Sequence, residues 1–230
     1  MGSGSDILIM HGWGCDQKNV QNIAKELSVE FRILLVDFYG FGKSRHPDRA
    51  LYLKDFADSI LDIIDAYKIK KLTLIGHSFG ARVSIFLSAH YPEIVDKLIL
   101  LNPAGIKPRR SIKYYFKIYH FKFKKYFGLS VANFGSLDYI NSSSYLRLSF
   151  KNIIKEHLNP LLPLIQAPTL VIAGSNDKDI KPHMICKLSK MIKHNKTIIL
   201  KNCGHFCHLE KPGETISIIK EFMGDSIDNN

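Results

Sequence analysis

Ser78 sits in Gly76-His77-Ser78-Phe79-Gly80, a glycine-x-serine-x-glycine pentapeptide between the apolar run 72–75 and a helix-patterned stretch that begins at Ala81. That context predicts a tight strand-to-helix turn. Glycines on both sides let the backbone close, the strained serine pushes its Oγ out at the C-terminal edge of a sheet, and the helix N-terminus favours negative charge developing there. The chemistry on offer is nucleophilic attack by a hydroxyl. A pentapeptide of this kind recurs by chance in loops, but its placement between an apolar strand and a helix does not. A second cluster, Cys203, His205, Cys207 and His208, has the residue types of a metal site. All four crowd one short loop and no second ligand pair stands elsewhere, whereas structural zinc takes its pairs from separated elements. No metal and no cofactor is therefore expected.

The elements that must position these residues show as an alternation of β-branched runs with stretches of helical periodicity. Strand candidates are residues 6–10, 32–37, 71–75, 95–101, 169–173 and 197–200, mostly continuous apolar runs of the kind found in a parallel sheet covered on both faces. Val20, Ile23, Ala24 and Leu27 form one helical stripe, and Leu53, Phe56, Ala57, Ile60 and Ile64 another. Val83, Phe86 and Leu87 belong to a third, and a helix opened by Pro212 runs to about residue 223. The pattern predicts an α/β fold, a mostly parallel sheet of about six strands flanked by helices. Between residues 105 and 166 the rhythm breaks into a basic, aromatic and Ser/Asn-rich stretch. One domain is expected, with a core made of residues 1–104 and 167–230 and an insertion at 105–166.

In motif order the chain resembles the α/β-hydrolase superfamily of serine hydrolases over residues 6–223. His11-Gly12-Trp13-Gly14 is similar to the family's HG-x-G loop after the first strand. Asp37-Phe38-Tyr39-Gly40-Phe41-Gly42-Lys43-Ser44 resembles its D-x-P-G-x-G-x-S loop, with Tyr39 in place of proline, a change of loop rigidity rather than chemistry. Gly204-His205-Phe206-Cys207-His208-Leu209-Glu210-Lys211-Pro212 is similar to its closing G-H-x-x-x-x-E-x-P signature.

The resemblance implies a triad of Ser78, His205 and Asp177, the acid following the strand that ends in Gly174-Ser175-Asn176. Some relatives place the acid after the preceding sheet strand, but that position here is Asn102, which cannot hold an imidazolium by charge. The backbone N–H groups of Trp13 and Phe79 would form the oxyanion hole. The expected pocket residues are His11, Gly12, Trp13, His77, Tyr115 and Tyr119. A serine nucleophile separates the chain from the haloalkane dehalogenases and epoxide hydrolases of the same fold, which attack with aspartate. The family's variable cap falls where the 105–166 break lies. Family members usually open with a β-hairpin, which this chain lacks before residue 6, so one sheet edge is expected to be uncovered and able to pair with a partner.

The 230 residues are 46% hydrophobic and 23% charged, a globular balance with enough chain to bury roughly 70% of its unfolded surface without staples. No apolar run approaches the roughly 20 residues needed to cross a bilayer, and an integral membrane protein is not expected. Four irregularly spaced cysteines and no secretory leader suggest a cytoplasmic setting. Residues 1–5, MGSGS, read as outside the fold. The net charge is +11, and eight of the basic residues fall in residues 107–125, which hold no acid. Ile112, Phe116, Tyr119, Phe123 and Phe127 share one helical face there, with Lys113, Lys117 and Lys124 on another. Such an element roofs a pocket with its aromatic face; its lysines could also dock an acidic acyl carrier protein or adsorb to a membrane surface. No base-reading motif accompanies the charge, so no nucleic-acid partner is expected.

Together these features predict a carboxylesterase acting on a small-molecule ester of small to medium acyl length. Thioesterase, acyl-carrier-linked methyl esterase, lactonase and C–C bond hydrolase are the enzymatic alternatives, and a non-catalytic interaction protein on the same scaffold is the other class.

Overall fold

The computed structural model describes residues 1–107 and 144–224. Six strands, β1 (Asp6–Met10), β2 (Arg32–Val36), β3 (Leu72–His77), β4 (Val95–Leu101), β5 (Thr169–Gly174) and β6 (Asn195–Leu200), form one sheet in the order β2-β1-β3-β4-β5-β6. Every neighbouring pair is parallel. The described α-helices are α1 (Gln21–Leu27), α2 (Leu53–Ala66), α3 (Phe79–His90), α4 (Ser144–Lys155), α5 (Pro182–Ser189), α6 (Cys207–Glu210) and α7 (Pro212–Gly224). None of the described helices is long and apolar enough to cross a membrane.

Strand periodicity divides the apolar side chains between two cores. Ile7, Ile9, Ile99, Leu101, Leu170 and Ile172 face one core, closed by Ile23 and Leu27 of α1 and by Ile219 and Phe222 of α7. Their sequence neighbours Leu8, Met10, Leu98, Leu100, Val171 and Ala173 face the other, closed by α2 and α3 through Phe56, Ile60, Val83 and Leu87. This two-sided cover is why the strands read as unbroken apolar runs. Each fully buried aliphatic side chain contributes about 1.5–3 kcal/mol.

β2 and β6 are the sheet edges. On β2, the outer N–H and C=O of Ile33 are taken by Met1, whose carbonyl accepts at 2.7 Å and whose amino group donates at 2.9 Å. The edge expected to be uncovered is thus partly paired by the chain's own first residue, in a stretch that the composition placed outside the fold.

Between β4 and β5 the described residues include α4, which occupies the Ser-rich region where the sequence shows no regular pattern. Leu146, Ser149 and Ile153 make its buried face. Ser149 Oγ accepts from Leu51 N–H at 2.8 Å, which ties α4 to the loop before α2. The two ends of the insertion are clasped: Leu158 N–H donates to Gly105 O (2.9 Å) and Lys107 N–H to Asn159 Oδ1 (3.0 Å). The basic stretch 108–125, with Tyr115 and Tyr119, lies outside the described residues.

Candidate active site

Ser78 occupies the turn between β3 and α3 with φ +50° and ψ −101°, a backbone that non-glycine residues rarely adopt. The flanking glycines are required by close approach rather than by their own dihedrals. A Cβ on Gly76 would meet Ala81 N at 2.5 Å, and one on Gly80 would meet Met10 O at 2.4 Å. With both absent, α3 begins hard against β1 and β3, and Ser78 Oγ stands at the C-terminal ends of the strands.

The structure brings Ser78, His205 and Asp177 into one hydrogen-bonded chain. His205 Nδ1 lies 2.7 Å from Asp177 Oδ2, and its Nε2 lies 3.0 Å from Ser78 Oγ. A carboxylate only accepts, so Nδ1 carries the ring hydrogen and Nε2 is left to take the serine proton. Asp177 is almost fully buried, and that burial opposes its ionisation. Hydrogen bonds from His205, Ile180 N–H and Asn102 outweigh it and hold the pKa below the ordinary carboxylate value.

Asn102, at the end of β4, is a functional neighbour that the sequence reading passed over. Its φ is +44° and its side chain is fully buried. The carboxamide Nδ2 donates to Asp177 Oδ2 at 2.7 Å and to Gly204 O at 3.2 Å. It therefore touches both the acid and the loop that carries His205. The clue in the sequence is the Leu101-Asn102-Pro103 strand end, where the amide stands at a position some relatives fill with the acid.

Histidines surround the chain in neutral roles. His11, expected in the substrate pocket, does not line the cavity and is fully buried. Its Nε2 accepts from Phe38 N–H at 3.1 Å and its Nδ1 meets Gly12 O at 2.7 Å, so it fixes the HG loop against the loop after β2. Burial lowers its pKa. His77 donates from Nε2 to His205 O at 2.9 Å, linking the serine turn to the histidine loop, and burial places its pKa well below the usual value. His208, the second histidine of the loop, is buried and pushed down to about 4 by desolvation. Cys203 and Cys207 pack in the core beneath α7, where burial raises both thiols, Cys207 to about 12. They are inert packing groups.

These neutral imidazoles make an acid prediction. The unfolded chain protonates His208 near pH 6.5 and the folded chain near 4, so its share of the stability is complete above 6.5 and is lost as pH falls to 4. The loss amounts to about 3 kcal/mol, with His77 and His11 adding in the same direction. The urea midpoint is expected to drop between pH 7.5 and 4.5, less steeply in His208→Gln. An unchanged wild-type midpoint over that interval would contradict the assignment.

A cavity of about 390 Å³ opens on Ser78. Gly12, Trp13, Phe79, Phe150, Ile153 and Met184 supply much of its apolar wall, and His77 and His205 also line it. The Trp13 ring packs edge-on to Phe79 and Phe41 at 5.1 and 4.9 Å and tilts against Phe150 of α4 at 5.3 Å. Among the described residues, neither Trp13 N–H nor Phe79 N–H donates to a turn, loop or side-chain acceptor, which leaves both available beside Ser78. Asp177, Asp179 and His205 bring ligand-type atoms within 4.8 Å of one another. Two of the three already bond within the chain from Ser78 to Asp177, and Asp177 spends its oxygens on four hydrogen bonds.

Comparison with known proteins agrees with this architecture. Residues 7–136 match the family described as the alpha/beta hydrolase fold, and the chain belongs to that family. It is 25% identical to Lipase 1 of Psychrobacter immobilis over 96% of this chain and 77% of the lipase. It is 32% identical to the 2-hydroxymuconate semialdehyde hydrolase of a Pseudomonas species over 46% of this chain and 38% of that enzyme. The crystal structure of a membrane phospholipase A, a bacterial virulence factor, superposes with a TM-score of 0.80 at 25% identity, over 96% of this chain and 80% of that one.

Proposed function

We propose that the protein is a serine hydrolase that cleaves carboxylic esters of small to medium acyl length through an acyl-enzyme on Ser78. The observation that carries this reading is the continuous chain from Ser78 Oγ through His205 to Asp177, at 3.0 and 2.7 Å, opening on an apolar cavity. Ser78 Oγ attacks the ester carbon as its proton passes to His205 Nε2. Asp177 fixes the ring tautomer and stabilises the imidazolium, and the carbonyl electron pair moves to an oxyanion met by the N–H groups of Trp13 and Phe79. Collapse expels the alcohol, which takes the proton from His205. A water deprotonated by the same ring then releases the carboxylic acid and restores Ser78. Residues 1–104 and 167–230 act as the hydrolytic core, and the 105–166 insertion as the substrate-shaping cap. The lipase among the relatives supports ester chemistry, whereas the semialdehyde hydrolase match covers less than half of the chain.

The test is turnover of 4-nitrophenyl esters from acetate to decanoate by the full chain. An optimum below decanoate is expected, since the cavity encloses only about 390 Å³. Folded protein that turns over none of these esters, and that a fluorophosphonate does not label at Ser78, would refute the proposal.

A further inference from the structure

Arg82 lies one helical turn after Ser78 on α3, and both line the same cavity. Arg82 N–H donates to Ser78 O at 3.3 Å, which keeps the two residues adjacent. Arg82 is 7% exposed. Charged side chains are almost never buried to this degree unless they are paired. Its Nη2 donates to the carbonyls of Ile153 and Glu156, at the C-terminal end of α4. Those carbonyls hold the guanidinium in place and use one of its nitrogens. Nε–H is buried with no acceptor. Among the described residues no carboxylate pairs with Arg82, and burial lowers its pKa to about 10, with the Glu156 charge opposing that fall.

A clamp for the end of α4 accounts for Nη2 but not for a cation that lines a cavity with no carboxylate paired to it among the described residues. Residues 108–143 carry seven Lys or Arg and a single acid, Asp138, and they join two segments that both line this cavity, Gly105–Ile106 and Ile153–Ile154. Asp179 also lines the cavity, but its carboxylate belongs to the His205 side, within 4.8 Å of the His205 and Asp177 ligand atoms.

We propose that Arg82 is a specificity-determining residue that receives a carboxylate of the substrate, so that the preferred esters are monoesters bearing a second, anionic group a few ångströms from the scissile carbonyl. The inference rests on the ester-hydrolase reading of Ser78 and names its substrate class. A carboxylate in the cavity would supply the missing counter-ion, in the charge-assisted geometry that arginine favours.

The experiment compares kcat/KM for two matched pairs of esters, each value divided by that ester's alkaline hydrolysis rate. Mono-4-nitrophenyl glutarate against 4-nitrophenyl pentanoate places the charge on the acyl side. 4-Acetoxybenzoate against phenyl acetate places it on the alcohol side. The expected result is a preference of about tenfold or more for the anionic member of at least one pair. It should fall to one or below in Arg82→Met, with the neutral esters within a few-fold of wild type, and survive in part in Arg82→Lys. Should Arg82→Met fail to fold, wild-type inhibition decides: free benzoate must compete at concentrations at least about tenfold lower than benzyl alcohol. Neutral esters turned over through Ser78 with no anionic preference in either pair would overturn the assignment of Arg82 and leave the esterase intact. No turnover of any of the four esters, with no labelling of Ser78, would instead overturn the esterase reading itself.

Discussion

Ser78→Ala is expected to lower kcat on 4-nitrophenyl butyrate by about 10⁶-fold, to the level that binding and oxyanion donors alone provide. The size of the loss follows from the role. Without Oγ, His205 Nε2 has no hydroxyl proton to take, and acyl transfer to the protein has no acceptor atom. The fold should not respond, because Ser78 lines the cavity and its Oγ hydrogen-bonds to His205. Alanine must still adopt the +50° φ that serine adopts, so the turn is no more strained than before. The measurement is steady-state hydrolysis together with a thermal melt. Residual activity above about 1% in a folded variant would mean that another group attacks the ester.

Asp177→Asn is expected to cost about 10⁴-fold in kcat/KM, and the hydrogen-bond inventory shows why an amide so close in shape cannot substitute. Oδ2 accepts from His205 Nδ1 and from Asn102 Nδ2, both at 2.7 Å. Oδ1 accepts from Asp179 N–H at 2.8 Å and Ile180 N–H at 2.9 Å. All four neighbours are donors. Whichever way the new amide turns, its NH₂ faces two of them. If it faces His205, the ring is driven to the tautomer with hydrogen on Nε2 and can no longer accept from Ser78. If it faces the backbone, the loop after β5 loses two bonds, at about 1–3 kcal/mol for each buried group left unpaired. The variant should therefore be slower and also less stable, a pairing that Ser78→Ala does not produce. A loss below tenfold would show that Asp177 does not hold the ring and that Asp179 serves in its place.

The nucleophile turn was legible in the sequence because it needs glycine at two places where a Cβ would strike backbone, and few other residues can satisfy that requirement. The central strands were legible because both faces are buried. At the edges the pattern weakens. β6 begins at Asn195, two residues before the apolar run at Thr197 suggests, because its side chains are half-exposed and polar residues are tolerated. β2 ends at Val36, one residue short, because Asp37 turns to accept from Gln17 N–H and Lys43 N–H. Asn102 and Arg82 were not legible. Each is a polar residue whose environment is assembled from distant segments: β5 and the histidine loop for Asn102, and the end of α4 for Arg82. Residue type alone argues against burial for both. His11 was misplaced for the opposite reason, since a histidine in a motif loop suggests a ligand contact when its two nitrogens are in fact occupied by backbone.

The clasp between Gly105–Lys107 and Leu158–Asn159 brings together two points of the chain between β4 and β5. Two hydrogen bonds fix these points to each other, and the intervening length of chain does not enter them. Lengthening such a loop is inexpensive, with each doubling adding about 0.6 kcal/mol of closure entropy. Ser78, Asp177 and His205 follow β3, β5 and β6, outside the loop. Descendants of this sequence could therefore replace most of the intervening chain and meet a new substrate while the proton relay beneath kept its spacing. Natural variation in the family should accordingly gather between the clasp points and thin out on either side of them.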